Sequence, residues 1–353
     1  MRNKLLASLT IIIILFVSSC TYYESLQLPS ITPTTKNNII SSIQDQGDIQ
    51  VYFCPHEDCE TALVSFISSA QQSIHCALYD IGLASIQQIL LEKSKVIDVR
   101  VVTDSDYLKK FNYSFVKQDS YGLMHNKFCV IDGVKVSGGS MNPTNNDAHK
   151  NNNNLLLINS KLLAQNYEDE FEEMWNGTFK KGDLVKNPQI SIGNISLENY
   201  FCPDDQCADH VKEELKKARK SIHFMTFSFT HKGIANIILL RHLEGVEVKG
   251  VMEVKQISKY SVYNTLNYQL ETVLKDGNKY NLHHKVFIID GETVVTGSFN
   301  PTDGGDKRND ENILIIHDTE IAGKYETEFE YVWDVADKAI KNSTTVNSTV
   351  STD

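Results

Sequence analysis

His283-His284-Lys285-Val286-Phe287-Ile288-Ile289-Asp290, followed seven residues later by Gly297-Ser298-Phe299-Asn300, is the stretch on which the reading of this chain turns. An earlier stretch repeats it: His125-Asn126-Lys127-Phe128-Cys129-Val130-Ile131-Asp132, then Gly139-Ser140-Met141-Asn142 at the same interval. Both obey HxKxxxxD followed by GSxN. The Val, Ile and Phe around each His-x-Lys predict a buried strand, where residues two apart share a face. His125 and Lys127, like His283 and Lys285, are therefore expected to enter one pocket together. Asp132 and Asp290 fall an odd number of residues away, facing the opposite side, and each opens an Asp-Gly turn that it is expected to anchor. Ser140 with Asn142, and Ser298 with Asn300, would present a hydroxyl and an amide on one side. One His, one Lys, one Ser and one Asn make an anion-binding set with a nucleophile or acid in it. Two such sets predict a single site with two histidines.

The repeat reaches well beyond the motif. Tyr52-Phe53-Cys54-Pro55 and Cys59 recur as Tyr200-Phe201-Cys202-Pro203 and Cys207, an offset of 148. Amphipathic spacing follows each, through Leu63, Ile67 and Ala70 and through Val211, Leu215 and Ala218. Matching apolar strands start at Ser73-Ile74-His75 and Ser221-Ile222-His223. At the motif the offset has become 158, which assigns ten extra residues to the later copy just before His283. The copies end in helices that pair Tyr167, Phe171 and Trp175 with Tyr325, Phe329 and Trp333. Strands alternating with helices predict an α/β protein of two lobes, residues 49–176 and 200–340, joined by a linker over 177–199 with Gly182, Pro188 and Gly193.

At these residues the sequence resembles the phospholipase D superfamily, whose signature is HxKxxxxD and GSxN, twice per active site. The resemblance implies two phospholipase D-like α-β-α sandwich lobes related by a pseudo-twofold axis, with one site built from both halves, as in a monomer that is internally a pseudo-dimer. It also implies a phosphodiesterase in which one His attacks phosphorus and the other serves as acid and base, while Lys127, Lys285, Asn142, Asn300 and the hydroxyls of Ser140 and Ser298 hold phosphate oxygens. No metal or other cofactor is expected. In related nucleases the position of Glu311 is a carboxylate that orients the catalytic His; the earlier copy has Asn153 there. Pairing Glu311 with His283, and Asn153 with His125, makes His125 the nucleophile and His283 the acid. His284 is expected to point away from the site, and His75, His149, His223 and His231 to be structural or superficial.

Residues 1–20 carry Arg2 and Lys4, an apolar run from Leu5 to Val17, and Ser18-Ser19 before Cys20, the pattern of a lipoprotein signal in which Cys20 becomes lipidated. Residues 21–48, rich in Ser, Thr, Asn, Gln and Pro, predict a flexible tether, and residues 341–353 a disordered tail. The body is thus expected outside the cytoplasm, anchored to the cell membrane. Exported status fits one local disulfide per lobe, Cys54–Cys59 and Cys202–Cys207, while Cys76 and Cys129, replaced by Phe224 and Phe287 in the other copy, predict plain core residues. The formal charge is -11, and loss of Arg2 and Lys4 with the signal takes it to -13. So acidic a body has no overall attraction for nucleic acid, though a local basic pocket can still hold one phosphate. Lysines and aromatics lie between the second core strand and each motif (Lys109, Lys110, Phe111 and Tyr113; Lys255, Lys259, Tyr260 and Tyr263), suited to stacked bases or to lipid headgroups. Three functions remain: a phospholipase D-type hydrolase of phospholipid headgroups, a metal-independent extracytoplasmic endonuclease, and an inactive scaffold lipoprotein suggested by Asn153.

Overall fold

The structure, a computed structural model, describes residues 43–120 and 122–350, with side chains described as far as residue 342. The signal, Cys20 and most of the tether lie outside the described residues. Among the described residues each repeat builds one sheet. The first has spatial order Asp48–Cys54, Asn153–Asn159, Lys135–Gly139, Lys127–Ile131, Ser73–Leu78, Asp98–Thr103 and Val116–Gln118. The second repeats that order with Ile195–Cys202, Asn309–His317, Thr293–Gly297, Lys285–Ile289, Ser221–Thr226, Glu247–Met252 and Val273–Lys275.

Three cores explain why the central strands read as unbroken apolar runs. Along Lys127–Ile131, Phe128 and Val130 enter a core shared by both lobes, whereas Cys129 and Ile131 enter an outer core beneath helices Cys59–Ser68 and Ala84–Lys93. Along Lys285–Ile289, Val286 and Ile288 join the shared core, and Phe287 and Ile289 face helices Cys207–Lys217 and Lys232–Leu243. A strand buried on both faces has no polar face to show. Helices Lys161–Trp175 and Thr319–Val350 bring Tyr167, Phe171, Tyr325 and Phe329 into the shared core. Truncating one of those rings to Ala leaves a cavity costing about 3–5 kcal/mol. No helix among the described residues is long and apolar enough to cross a membrane.

Both Asp-Gly turns form as expected, with positive φ at Asp132, Gly133, Asp290 and Gly291, the conformation a two-residue hairpin needs. Each Asp also reaches sideways. Asp132 accepts from the backbone N–H groups of Gln71, Gln72 and Ser73, and Asp290 from those of Arg219, Lys220 and Ser221. Burial raises the pKa of Asp132, but these hydrogen bonds outweigh it and hold the carboxyl below its usual value. The last HxKxxxxD residue thus clamps the helix-to-strand connection of its own lobe.

Disulfides Cys54–Cys59 and Cys202–Cys207 are present as expected. Cys76 and Cys129 are not plain core residues: they form a third disulfide. The two are directly opposed on antiparallel strands and face the same outer core, so their sulfurs meet. Other expectations change at the edges. Ile43–Asp45, inside the stretch read as tether, pairs in parallel with Gln189–Ile192, inside the linker, and both extend the second sheet, satisfying backbone groups that a sheet edge would leave open. Lys180 in the linker is buried between Asp119 of the first lobe and Asp310 of the second, at 3.1 and 3.0 Å. The extra residues of the second repeat do not abut His283 but form helix Tyr263–Leu270, ahead of the edge strand Val273–Lys275. The final helix continues to Val350 through much of the stretch expected to be disordered, because a helix already held by packing gains a hydrogen bond with every added residue.

Candidate active site

The backbone just before each motif histidine pairs with the opposite lobe. Leu123–Met124 runs parallel to Asn309 and Asp310, and the His125 N–H donates to the Asp310 carbonyl at 2.9 Å. Leu282 bridges Asn152, and the His283 N–H donates to the Asn152 carbonyl at 2.8 Å. This register sets each histidine beside the strand of the other lobe that carries the orienting residue. His125 Nδ1 lies 2.7 Å from Glu311 Oε2, and His283 Nδ1 lies 2.8 Å from Asn153 Oδ1. The expected pairing within each lobe is therefore reversed: Glu311 serves His125, and Asn153 serves His283. The cause is the crossed backbone ladder, invisible to a motif alignment.

With Nδ1 occupied, Nε2 of each ring is left for chemistry. Lys127 Nζ donates to the carbonyl of His125 at 2.5 Å and Lys285 Nζ to that of His283 at 2.7 Å, so His and Lys share a side as the alternation predicted. The four groups converge: Lys127 and Lys285 both bear electrostatically on His125 and His283, and His125 bears on His283. Burial is the first cause of every shift here. It holds both imidazoles and Lys285 well below their ordinary pKa values, lowers Lys127 to about 8 and raises Glu311 to about 7.

The GSxN serines differ from expectation. Ser140 Oγ donates to Asn153 Oδ1 at 3.1 Å, and Ser298 Oγ, which accepts from the Asn312 N–H at 3.0 Å, also hydrogen-bonds Glu311. Both are fully buried and steady the residues that orient the histidines. Asn142 and Asn300 each keep a buried side-chain oxygen without a hydrogen-bond partner; the amide nitrogen of Asn142 donates to Asp147 Oδ2 at 2.7 Å.

Sequence reasoning missed three participants. Tyr79 stacks edge-on against His125, with ring centres 4.9 Å apart, and Phe227 does the same to His283 at 4.7 Å. Lys127 and Lys285 lie 5.1 Å from those two rings. The offset of 148 links Tyr79 to Phe227 and could have flagged them. The third is Asp147, whose Oδ2 lies 3.5 Å from His283 Nδ1.

The histidines expected to lie outside the site have other partners. His284 is buried with Nε2 3.2 Å from Glu328, His75 and His223 stack on Phe171 and Phe329, His231 caps a helix, and exposed His149 pairs with Glu60. His75, Glu168 and Glu172 approach closely enough to hold a metal, but Arg100 donates to both His75 and Glu172, which makes the cluster an ion-pair network. It lies away from the paired motifs.

A family profile described as cardiolipin synthase, PLD-like domain matches residues 63–175 and again 211–333, one match per lobe. The chain belongs to the phospholipase D superfamily. It is similar to a phospholipase D of Rickettsia typhi, 32% identical over 139 residues that make up 39% of this chain and 67% of that protein. It is also similar to a mitochondrial cardiolipin hydrolase of Xenopus tropicalis, 31% identical over 34% of this chain and 63% of that protein. Each match covers about one lobe. A phosphatidylserine synthase of Haemophilus influenzae superposes on 85% of this chain and 93% of its own with a TM-score of 0.59 at 13% identity, a likeness of fold. Within this superfamily the chain is a phosphodiesterase, and both of its lobes carry the full motif.

Proposed function

We propose that the protein is a phospholipase D-type hydrolase of phospholipid headgroups, working through a phosphohistidine and held at the extracytoplasmic face of the cell membrane by lipidated Cys20. The observation that carries the reading is the reciprocal anchoring of two buried imidazoles by side chains of opposite lobes, with Lys127 and Lys285 both acting electrostatically on them. A phosphodiester monoanion puts its charge within reach of two buried lysines and two imidazoles, donors suited to its oxygens. Nε2 of His125 attacks phosphorus and the bond to the leaving alkoxide breaks. His283, protonated at Nε2 once the bound phosphodiester anion offsets the burial and the lysine charges that hold its pKa down, passes that proton to the alkoxide. The reversed pairing removes the sequence-based ground for naming His125 the nucleophile, and a different one replaces it: phosphorylated His125 becomes cationic, and Glu311 at its Nδ1 balances that charge. Neutral His283 then takes a proton from water, the hydroxide attacks phosphorus, and His125 is released.

Relatives named phospholipase D and cardiolipin hydrolase support a phospholipid substrate. A nuclease activity is the second reading, favoured by a groove of about 880 Å³ beside the second GSxN loop, lined by Lys232, Lys259, Tyr260 and Arg308. Headgroup release from mixed phospholipid vesicles, run against cleavage of single-stranded and plasmid DNA in chelator, tests the two. Headgroup release that disappears in His125→Ala supports the first; DNA cleavage alone overturns it. Phosphorylated His125 recovered by mass spectrometry after an alkaline denaturing quench, which preserves the N–P bond, supports the assigned nucleophile, and the phosphoryl group on His283 overturns it.

A further inference from the structure

The two copies of the motif differ at two positions that lie side by side. At the first, offset by 158, the early lobe has Asn153 and the late lobe Glu311; at the second the early lobe has Asp147 and the late lobe Gly305. A carboxylate lost at one position is matched by a carboxylate gained at the other. We infer that Asp147 is a positioning residue that supplies His283 with the negative charge Asn153 cannot, so that each imidazole of the proposed catalytic pair has one carboxylate, delivered from a different place in the repeat.

The geometry is specific. Asn153 Oδ1 accepts the His283 Nδ1 proton at 2.8 Å and fixes the tautomer, while Asp147 Oδ2 sits behind it, 3.5 Å from the same nitrogen. That oxygen also accepts from the backbone and side-chain N–H groups of Asn142 at 2.9 and 2.7 Å, and Asp147 Oδ1 accepts from Asn151 at 2.6 Å. Asp147 therefore couples the first GSxN loop to the histidine of the second motif. Burial works against its charge, but the His283 ring and the hydrogen bonds from Asn151 and Asn142 outweigh it and keep the carboxyl below its usual pKa. The charged and titratable groups acting on His283 are Lys285, Asp147, Lys127 and His125, and among them Asp147 is the one that favours the imidazolium.

A turn-building role does not account for this residue. In the late lobe the same turn forms without a carboxylate: Thr302 Oγ1 accepts from the Gly305 N–H at 2.9 Å just as Thr144 Oγ1 accepts from the Asp147 N–H at 3.2 Å. Nor could the late lobe copy the early one, because a Cβ at Gly305 would fall 2.4 Å from the Asn300 carbonyl oxygen. There the carboxylate has to come from Glu311.

This inference rests on the proposed role of His283 as acid, and its test reads both separately. In the full chain, Asp147→Asn is expected to lower kcat 10–100-fold with little change in KM, to move the alkaline limb of the kcat profile about one unit toward lower pH, and to lower the titration midpoint of the ¹⁵N-labelled His283 ring likewise. Adding Asn153→Glu to Asp147→Asn is expected to restore most of kcat and the midpoint. An unchanged His283 titration in a folded Asp147→Asn variant overturns the inference, whether or not a substrate has been found, whereas absence of hydrolysis by the wild type overturns only the functional reading. Should Asp147→Asn fail to fold, the paired variant Asp147→Gly with Asn153→Glu, which reproduces the late lobe, decides: wild-type-like His283 titration supports the inference, and a folded variant with a lowered midpoint overturns it.

Discussion

At one point in the outer cores the two lobes solve the same problem with different chemistry. In the first, opposed strand positions hold Cys76 and Cys129, joined by a disulfide; in the second they hold Phe224 and Phe287, whose ring centres are 6.1 Å apart. Two small residues cannot fill the volume of two rings, so a covalent bond replaces dispersion and area burial. The site shows the same freedom: Glu311 with Gly305 on one side, Asn153 with Asp147 on the other. A repeat conserves the geometry that its packing demands while the groups meeting that demand drift apart.

The largest expected effect probes the two histidines. His125→Ala and His283→Ala should each reduce turnover by on the order of 10³-fold or more. They should differ with a substrate whose leaving group needs no proton: such a substrate should leave a phosphohistidine on the His283 variant and none on the His125 variant, as read by mass spectrometry. The disulfide comes next. Replacing Cys76 and Cys129 with Ala removes a cross-link between residues 53 apart in sequence, and loop entropy puts its loss at about 4 kcal/mol, against about 2 for Cys54–Cys59 or Cys202–Cys207, whose partners are 5 apart. Denaturant midpoints should place the Cys76/Cys129 variant below the other two, which should lie close together.

A third measurement addresses the crossing of lobes. Glu311→Gln should cost 10–100-fold in kcat and disturb the ring resonances of His125, leaving those of His283 nearly unmoved; Asn153→Ala should do the converse. The smallest effect is one of stability. The Lys127 pKa falls from 10.5 unfolded to about 8 folded, so the folded state disfavours its charge, a burden that is full below pH 8 and fades as pH rises to 10.5. Lys127→Met should therefore abolish activity yet raise the melting temperature at neutral pH, with a gain on the order of 1–2 kcal/mol that shrinks toward pH 10.

Much of this was legible in the residues themselves. The doubled motif, the Asp-Gly turns, the paired helices through Phe171 and Phe329 and the two short disulfides all depend on local spacing, which a sequence displays directly. What stayed hidden depends on how strands lie against each other. Cys76 and Cys129 are 53 residues apart and meet only through an antiparallel register. The partnership of Glu311 with His125 requires Leu123–Met124 to lie beside Asn309 and Asp310, and no periodicity announces a contact of two residues between lobes. Ser140 and Ser298 had the right alternation for phosphate contacts, but both are fully buried against the orienting residues. Asp147 escaped notice because a lone Asp after a Thr cap reads as turn chemistry.

The exchange between Asp147 and Gly305 sets a limit on ancestry. Two identical chains meeting across a true twofold axis must carry the same residue at both places, so no such assembly could hold an aspartate on one flank and a bare glycine on the other. Once a single polypeptide holds both halves, each imidazole can be tuned by itself, and nucleophile and proton donor are free to become different instruments.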